Sequence, residues 1–255
     1  MTIQNRTVVE RLMRSGGTGT PIGIYISSID PCTSEIAGQA GFDFTLIDGE
    51  HSPFDRLTIL NHVRAAQSRG IVPLARGQDS SNITIQGLLD VGAAGVVLPK
   101  IETADEARRA VAATRYAPSG TRGMCPGCHD GSYSVQGFSE HMARRNRDVM
   151  AIPIIETRKG VENIEEIVAV EGMDLIHFGP GDLSADMGID LATEPHKLTE
   201  AWIHVRDATK AAGKYILVPD GFGFEGADAY IVPMDLIQLH TTFRHVVSEF
   251  RSRIR

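Results

Sequence analysis

The sequence predicts a single (β/α)8 barrel domain over residues 1–255. Eight short apolar runs recur along the chain, and most neighbouring runs are separated by a segment whose apolar residues have helical spacing. No linker or change of composition divides the chain. An open doubly wound sheet is the alternative, but no Gly-x-Gly-x-x-Gly motif follows the first run, so the barrel is favoured.

Each predicted strand is a run of four to six mostly apolar residues, which is typical of strands buried on both faces. In chain order, these runs are residues 22–26, 42–47, 71–75, 95–99, 150–155, 175–178, 215–218 and 229–232.

The segments around the strands predict helices, because their apolar residues recur every three or four positions. These segments are 6–15, 33–40, 55–69, 81–91, 104–115, 138–146, 160–170, 196–212 and 239–254. Gly41 and Gly213 stand where a glycine commonly ends a helix, and Thr103 with Glu106 fits a capping box. The short segment 219–227 leaves little room for a helix between strands seven and eight.

Composition excludes several classes of partner. The formal net charge of −7 argues against binding to a phosphate backbone. No apolar stretch approaches the roughly 18 residues of a membrane span, and the first residues do not resemble a secretory signal. Three cysteines, an odd number, argue against a disulfide framework. We therefore expect a cytoplasmic protein that binds small molecules and neither nucleic acid nor membrane.

Polar side chains follow most of the predicted strands, at the barrel edge where ligands bind in this fold. They are Asp48, Glu50, His51, Arg76, Lys100, Glu102, Glu156, Asp182 and Asp235. Glu156 and Asp182 each follow a buried strand. Because two carboxylates at one edge suit a hard divalent cation, the sequence predicts a metal site there.

Five sequence blocks, in order and at compatible spacing, resemble the HpcH/HpaI family. They are Asp43-Phe-Thr-Leu-Ile-Asp-Gly-Glu-His51, Leu98-Pro-Lys-Ile-Glu-Thr-Ala-Asp-Glu-Ala-Arg108, Gly120-Thr-Arg-Gly123, Ile155-Glu-Thr-Arg158 and Gly179-Pro-Gly-Asp-Leu-Ser184. The resemblance implies a barrel of the phosphoenolpyruvate/pyruvate type and a metal-dependent class II pyruvate aldolase. The expected activity is that of a carbon–carbon lyase, in which a pyruvate enolate adds to an aldehyde or is released from one.

The resemblance also implies roles for individual residues. Glu156 and Asp182 would hold Mg2+, Mn2+ or Co2+, which a 2-oxo acid chelates through its carboxylate and keto oxygens. Arg76 would stabilise the enolate oxygen, and His51, oriented by Asp48, would move protons at the second carbonyl or its hydroxyl. The substrate carboxylate would lie on Gly179, Pro180, Gly181 and Asp182. The family further implies a homo-trimer or homo-hexamer whose C-terminal helices are exchanged between subunits.

The sequence departs from the family pattern in three places. Ile154 stands where relatives often have glutamine, the loop 123–133 differs, and the seventh helix is missing. We expect the last two to alter the acceptor site, with His129 and Tyr133 facing substrate. Two alternatives therefore stay open. One is a metal-independent, citrate-synthase-like condensation of oxaloacetate with acetyl-CoA, an acyl-CoA acceptor. The other is a non-catalytic barrel that binds a 2-oxo acid.

The same loop contains Cys125-Pro-Gly-Cys128-His129, which fits the C-x-x-C-H pattern of c-type haem attachment. A redox pair and a zinc site are further interpretations, and a structured active-site loop is the favoured one. His177 lies within a predicted strand, so we expect a buried barrel histidine.

Overall fold

The computed structural model describes residues 10, 12–13 and 19–254, and it contains a closed barrel of eight parallel strands. Neighbouring strands follow chain order, and the last strand pairs with the first. The strands are β1 (Ile22–Ile26), β2 (Phe44–Asp48), β3 (Val72–Arg76), β4 (Gly95–Leu98), β5 (Met150–Ile155), β6 (Leu175–Phe178), β7 (Tyr215–Pro219) and β8 (Ala229–Val232). The predicted fold class is confirmed. The predicted helix 6–15 lies mostly outside the described residues.

Helices cover the outside of the barrel. They are α1 (Cys32–Ala40), α2 (Arg56–Ser68), α3 (Asn82–Asp90), α4 (Ala104–Thr114), α5 (Phe138–Asp148), α6 (Arg158–Glu162), α7 (Ile164–Val168), α8 (Pro180–Met187), α9 (Pro195–Ala211) and α10 (Asp235–Arg253). The capping box at the start of α4 is present, with Thr103 and Glu106 bonded reciprocally. As predicted, no helix separates β7 from β8.

Three helix predictions differ from the structure. The segment 160–170 forms two short helices that meet at Asn163. The sequence reading missed α8, because Gly179-Pro-Gly181 reads as a turn, although proline suits the first position of a helix. The last helix begins at Asp235 rather than at residue 239. Asp235 accepts hydrogen bonds from the amide and hydroxyl of Ser27, each 2.9 Å long, so its carboxylate ties α10 to the end of β1.

Strand side chains alternate between two cores. One apolar cluster fills the barrel and includes Phe44, Leu46, Leu74 and Ile152. A larger cluster lies between strands and helices. Gly23 is required where β1 meets β2, because a Cβ there would overlap the ring of Phe44. The alternation determines which residues point inward at the carboxyl ends of the strands.

Inward-facing positions at this end carry polar groups instead of aliphatic ones. Tyr25 packs against the inner cluster, and Asp48 and Arg76 are register partners on β2 and β3. Glu156 is two residues beyond the inward-facing Ile154, which is the register partner of His177. The fold thus brings five polar side chains to one end of the barrel. None of the described helices is both long and apolar enough for a membrane span.

Candidate active site

Arg76 and Asp48 form a buried bidentate ion pair. Arg76 Nε lies 2.9 Å from Asp48 Oδ1, and Nη2 lies 2.8 Å from Oδ2. Their side chains are 7% and 0% exposed. Burial opposes ionisation of Asp48, but hydrogen bonds from Arg76 outweigh it and lower the pKa of this carboxyl. Burial likewise opposes the charge on Arg76, yet Asp48 raises the pKa of the guanidinium. Both groups are therefore charged, and each holds the side chain of the other in position.

The remaining side of the guanidinium faces Glu50, which also lies beside His51. Arg76 Nη1 lies 3.2 Å from Glu50 Oε2, and His51 Nε2 lies 3.8 Å from the same oxygen. The side chain of His51 is 52% exposed, so the imidazole is accessible to a ligand at this end of the barrel.

The expectation that Asp48 orients the ring of His51 is wrong. Asp48 Oδ1 accepts hydrogen bonds from the backbone amides of Glu50 (3.1 Å) and His51 (3.4 Å), while its two oxygens hold Arg76. Asp48 therefore shapes the turn that carries His51 and positions Arg76. The acidic neighbour of the imidazole is Glu50, a residue to which the sequence reading gave no role.

Glu156 is a buried carboxylate, and no cation from the described part of the chain is bonded to it. It is 3% exposed, and its Oε1 accepts a hydrogen bond of 2.8 Å from the backbone amide of Lys100. Burial first, and then the charges of Asp182 and Glu50, raise the pKa of Glu156 to about 7 against the effect of that bond. Gly179 is required beside it, since a Cβ there would lie 2.8 Å from the Cβ of Glu156.

Asp182 lies in the first turn of α8, where the helix dipole favours a carboxylate. Gly179 is the N-cap, Pro180 begins the helix, and the exposed Gly181 and Asp182 follow. Backbone N–H groups in a first helical turn have no partner within the helix, so Gly181 and Asp182 can donate to an anion. Pro180 is buried and has no N–H, so it cannot donate a hydrogen bond to a substrate carboxylate and could only form part of the wall of that site.

The donor set fits a hard divalent cation. No group of three or more His, Cys, Asp or Glu side chains suited to a metal occurs among residues 10, 12–13 and 19–254. Mg2+, however, is commonly held by one or two carboxylates while it keeps several waters. Glu156 and Asp182 interact electrostatically, and the amide of Lys100 and the charge of Arg76 compensate the burial of Glu156 only in part. A cation between the two carboxylates would supply that compensation.

Tyr25 and His177 form the floor of the site, which the sequence reading did not identify. The hydroxyl of Tyr25 lies 3.1 Å from His177 Nε2, and the guanidinium carbon of Arg76 lies 5.5 Å from the centre of the tyrosine ring. Burial, with repulsion from Arg76, lowers the pKa of His177 to about 3. Burial also raises the pKa of Tyr25. The pair is neutral, so the charges of the site all lie above it. His177 is the buried histidine that we expected.

The loop 123–133 lies at the other end of the barrel, so the expectation that His129 and Tyr133 face substrate in the site of their own chain is wrong. His129 Nε2 lies 3.1 Å from Gln67 Oε1, near the end of α2, and Arg64 donates to the hydroxyl of Tyr133 (3.0 Å). The amide of Asp130 donates to the carbonyl of Asp90, where α3 ends (3.1 Å). Helices end beside the amino ends of the strands in this fold, far from Glu156.

The C-x-x-C-H motif forms part of this surface loop. Both cysteines are free thiols, and Cys128 Sγ donates to the carbonyl of Cys125 at 3.0 Å. His129 is bonded to Gln67. The segment is a structured loop, as expected, but its contacts lie away from the candidate active site, so the expectation of an active-site loop is wrong.

Comparison with known proteins gives one consistent result. A sequence model described as HpcH/HpaI aldolase/citrate lyase matches residues 21–223. A 5-keto-4-deoxy-D-glucarate aldolase of Salmonella arizonae is 36% identical over 194 residues, which are 76% of this chain and 75% of that protein.

Solved structures are similar as well. An HpcH/HpaI aldolase/citrate lyase family protein from Burkholderia cenocepacia has a TM-score of 0.87 at 26% identity, covering 96% of this chain and 100% of that one. The citrate synthase SbnG has a TM-score of 0.83 at 26% identity, covering 94% of this chain and 96% of that one.

Proposed function

We propose a specific reaction on the premise that the chain belongs to the HpcH/HpaI aldolase/citrate lyase family and is a carbon–carbon lyase of the aldolase type. The reaction is the reversible addition of C3 of a 2-oxo acid, pyruvate in the simplest case, to an aldehyde. The observation that supports it most is the convergence of Arg76, Glu156 and Asp182 at one end of the barrel, with the exposed His51 beside them.

Glu156 and Asp182 would hold a divalent cation, Mg2+ or Mn2+ in our proposal, which supplies Lewis-acid polarisation of the keto group. The N–H groups of Gly181 and Asp182 would receive the substrate carboxylate. Buried Ile154 and the neutral Tyr25–His177 pair exclude water and further charge from below.

Arg76 would stabilise the oxygen that becomes negative when a proton leaves C3 or when the carbon–carbon bond breaks. A fixed guanidinium in a poorly hydrated site stabilises such a charge without having to reorganise. The ion pair with Asp48 provides this rigidity, because both nitrogens that face Asp48 are engaged. Nη1, which lies 3.2 Å from Glu50, is the nitrogen that Asp48 does not hold.

His51 would transfer a proton to the acceptor oxygen as the new carbon–carbon bond forms, and would remove it in cleavage. Its exposure is what this role requires, since the aldehyde enters from solvent. Glu50, 3.8 Å from Nε2, would stabilise the protonated imidazole.

Assays with and without EDTA test this function. We expect decarboxylation of oxaloacetate and condensation of pyruvate with an aldehyde, both lost in EDTA and restored by Mg2+ or Mn2+. Full activity in EDTA with consumption of acetyl-CoA and oxaloacetate would establish the citrate-synthase-like alternative, for which the similarity to SbnG is the supporting observation. Binding of pyruvate without any turnover would support the non-catalytic alternative.

Replacing His51 should separate the two reactions. In His51→Gln, we expect aldol cleavage to fall about 100-fold, because general acid–base catalysis contributes at least that factor. Decarboxylation of oxaloacetate should change little, since no acceptor oxygen needs a proton. Steady-state kinetics of both reactions on one preparation is the measurement. An equal loss in both would assign His51 to the binding of the 2-oxo acid instead.

We also propose that the protein is a homo-trimer or homo-hexamer in which α10 packs against a neighbouring subunit. None of the 19 residues of α10 is buried. Its large apolar side chains are exposed too: Phe243 and Phe250 are 60% and 56% exposed, and Val246 and Val247 lie on the same face of the helix. An apolar stripe of this kind marks an interface.

We assign the protein to the cytoplasm, because the three cysteines, all within the described part of the chain, are free.

Charges on that stripe should dissociate the oligomer. The double variant Phe243→Asp, Phe250→Asp is expected to elute as a monomer in size-exclusion chromatography with light scattering. Thr241→Asp, on the opposite face of the helix, is the matched control and should leave the assembly intact. A wild-type monomer would contradict the proposal.

A further inference from the structure

The turn Cys125-Pro-Gly-Cys128 carries two of the three cysteines of the chain, and the proposed reaction uses neither. Pro126 and Gly127 are the central residues of this turn, a place where proline and glycine are favoured. The end Cα atoms of a β-turn lie less than about 7 Å apart, and disulfides join Cα atoms about 4.4–6.8 Å apart. The backbone therefore already brings the two cysteines to about the separation that a disulfide needs.

The two thiols differ in their surroundings. Cys125 is exposed, whereas Cys128 is half-buried. Cys128 Sγ lies 3.0 Å from the carbonyl oxygen of Cys125 and accepts a hydrogen bond of 3.4 Å from the amide of Gly131. Burial raises the pKa of the Cys128 thiol. Cys125 is therefore the thiol that a reagent in solution meets first, and Cys128 is held on the inner side of the turn, against Cys125.

The chain that follows Cys128 is anchored to the rest of the protein. Asp130 Oδ2 accepts a hydrogen bond of 2.9 Å from the buried Arg122. A Cβ at Gly131 would lie 2.8 Å from the carbonyl oxygen of Cys125, so only glycine allows the chain to return this close to the turn. The pair is thus fixed at Cys128 and open to solvent at Cys125.

We infer that Cys125 and Cys128 form a redox-active pair, which a small-molecule disulfide such as glutathione disulfide converts into a disulfide within the turn. The thiolate of Cys125 attacks one sulfur of the reagent, so a mixed disulfide forms and one glutathione leaves. The thiolate of Cys128 then attacks Cys125 Sγ, the mixed disulfide breaks, and the second glutathione leaves as the new bond forms. The two protons that the cysteines lose complete the two glutathione thiols. Two thiols and one disulfide thus become one disulfide and two thiols.

This disulfide would be a reversible modification rather than a structural cross-link. It closes a loop of only four residues, the case in which a cross-link removes least entropy from the unfolded chain. In a reducing compartment, such as the one that we propose for this chain, disulfides are mostly transient and redox-sensing. The inference does not rest on the proposed function, because the turn lies at the end of the barrel opposite Glu156.

Incubation of the reduced protein with glutathione disulfide, followed by peptide mass spectrometry, tests the inference. The peptide that contains Cys125 and Cys128 should lose two hydrogens and carry no glutathionyl group. Cys32 is the control within the same chain, because it is exposed at the start of α1, at the other end of the barrel, and should keep a glutathionyl group. A lasting glutathionyl group on Cys125 in the wild type, or a pair that stays reduced, would overturn the inference.

Serine variants assign the two roles. In Cys128→Ser no thiol resolves the mixed disulfide, so the glutathionyl group on Cys125 should accumulate at least about tenfold above its wild-type level. In Cys125→Ser the half-buried Cys128 should react at least about fivefold more slowly than Cys125 does in Cys128→Ser, because exchange depends on access. Cys32→Ser is the matched control and should form the disulfide as the wild type does. Equal accumulation in Cys128→Ser and wild type would overturn the inference, and equal rates in the two turn variants would overturn the order of attack.

Discussion

Glu156→Gln is expected to abolish decarboxylation and aldol turnover to within about one thousandth of wild type, because it removes one of the two proposed carboxylate ligands. A thousandfold corresponds to about 4 kcal/mol of transition-state stabilisation, within the several kcal/mol that a Lewis acid supplies. Initial rates at saturating Mg2+ are the measurement. Activity within tenfold of wild type would exclude Glu156 as a required ligand. Glu102→Gln, on a half-buried carboxylate that faces Lys159, is the matched control.

The same substitution should change how stability depends on pH. The pKa of Glu156 is about 7 in the folded protein, against about 4.5 when unfolded. Between these values the folded state retains a proton that the unfolded state has lost, so stability falls as pH rises from about 4.5 to 7. The decrease amounts to roughly 3 kcal/mol at about 1.4 kcal/mol per pKa unit.

Urea unfolding in EDTA at pH 5 and pH 8 measures this difference. Glu156→Gln has no such charge, so it should be more stable than wild type at pH 8 and similar at pH 5. Mg2+ should stabilise wild type more strongly at pH 8, since a cation binds the ionised carboxylate. A variant with the same pH dependence as wild type would show that Glu156 is solvated.

Arg76→Ala is expected to have the second large effect, on both activity and stability. Loss of one donor to a developing oxyanion costs about 100-fold to 1000-fold in kcat. It also leaves Asp48, 0% exposed, as a buried charge without its partner, which costs about 3–5 kcal/mol. Urea unfolding and oxaloacetate decarboxylation measure the two effects separately.

A second variant separates the two causes. Arg76→Ala with Asp48→Ala removes both charges, so it should recover at least about 2 kcal/mol of stability while activity stays low. Arg76→Lys keeps a charge but not the bidentate geometry, and we expect an intermediate loss of both. If the double variant is no more stable than Arg76→Ala, the ion pair does not account for the stability of this part of the barrel.

The sequence was sufficient for the barrel because eight buried strands leave a local signal. It also located Arg76, Glu156 and Asp182, since parallel strands bring their carboxyl ends to one edge. It could not show which polar groups contact each other there. Asp48 precedes His51 by three residues, yet its carboxylate bonds Arg76, its register partner on β3.

Two further findings depended on three-dimensional contacts. Tyr25 lies on β1 and His177 on β6, and these strands are not neighbours in the barrel. No local sequence pattern therefore predicts that the two side chains are in contact. The expectation that the loop 123–133 lies on the substrate side comes from its departure from the family pattern. Its side chains instead contact helix ends at the opposite edge, and the direction in which a long loop folds back is not encoded in its composition.

The hydrogen bond between Lys100 and Glu156 has a consequence for how this enzyme can diversify. The donor is the backbone amide, so the hydrogen bond to the carboxylate of Glu156 does not depend on which side chain stands at position 100. Only the left-handed backbone conformation, with φ of 53°, restricts which residues fit there. Asparagine or glycine, which tolerate that conformation, could therefore replace the lysine without disturbing the proposed cation ligand. Laboratory evolution could therefore vary the side chain at position 100, beside the site, while the chemistry at Glu156 is retained.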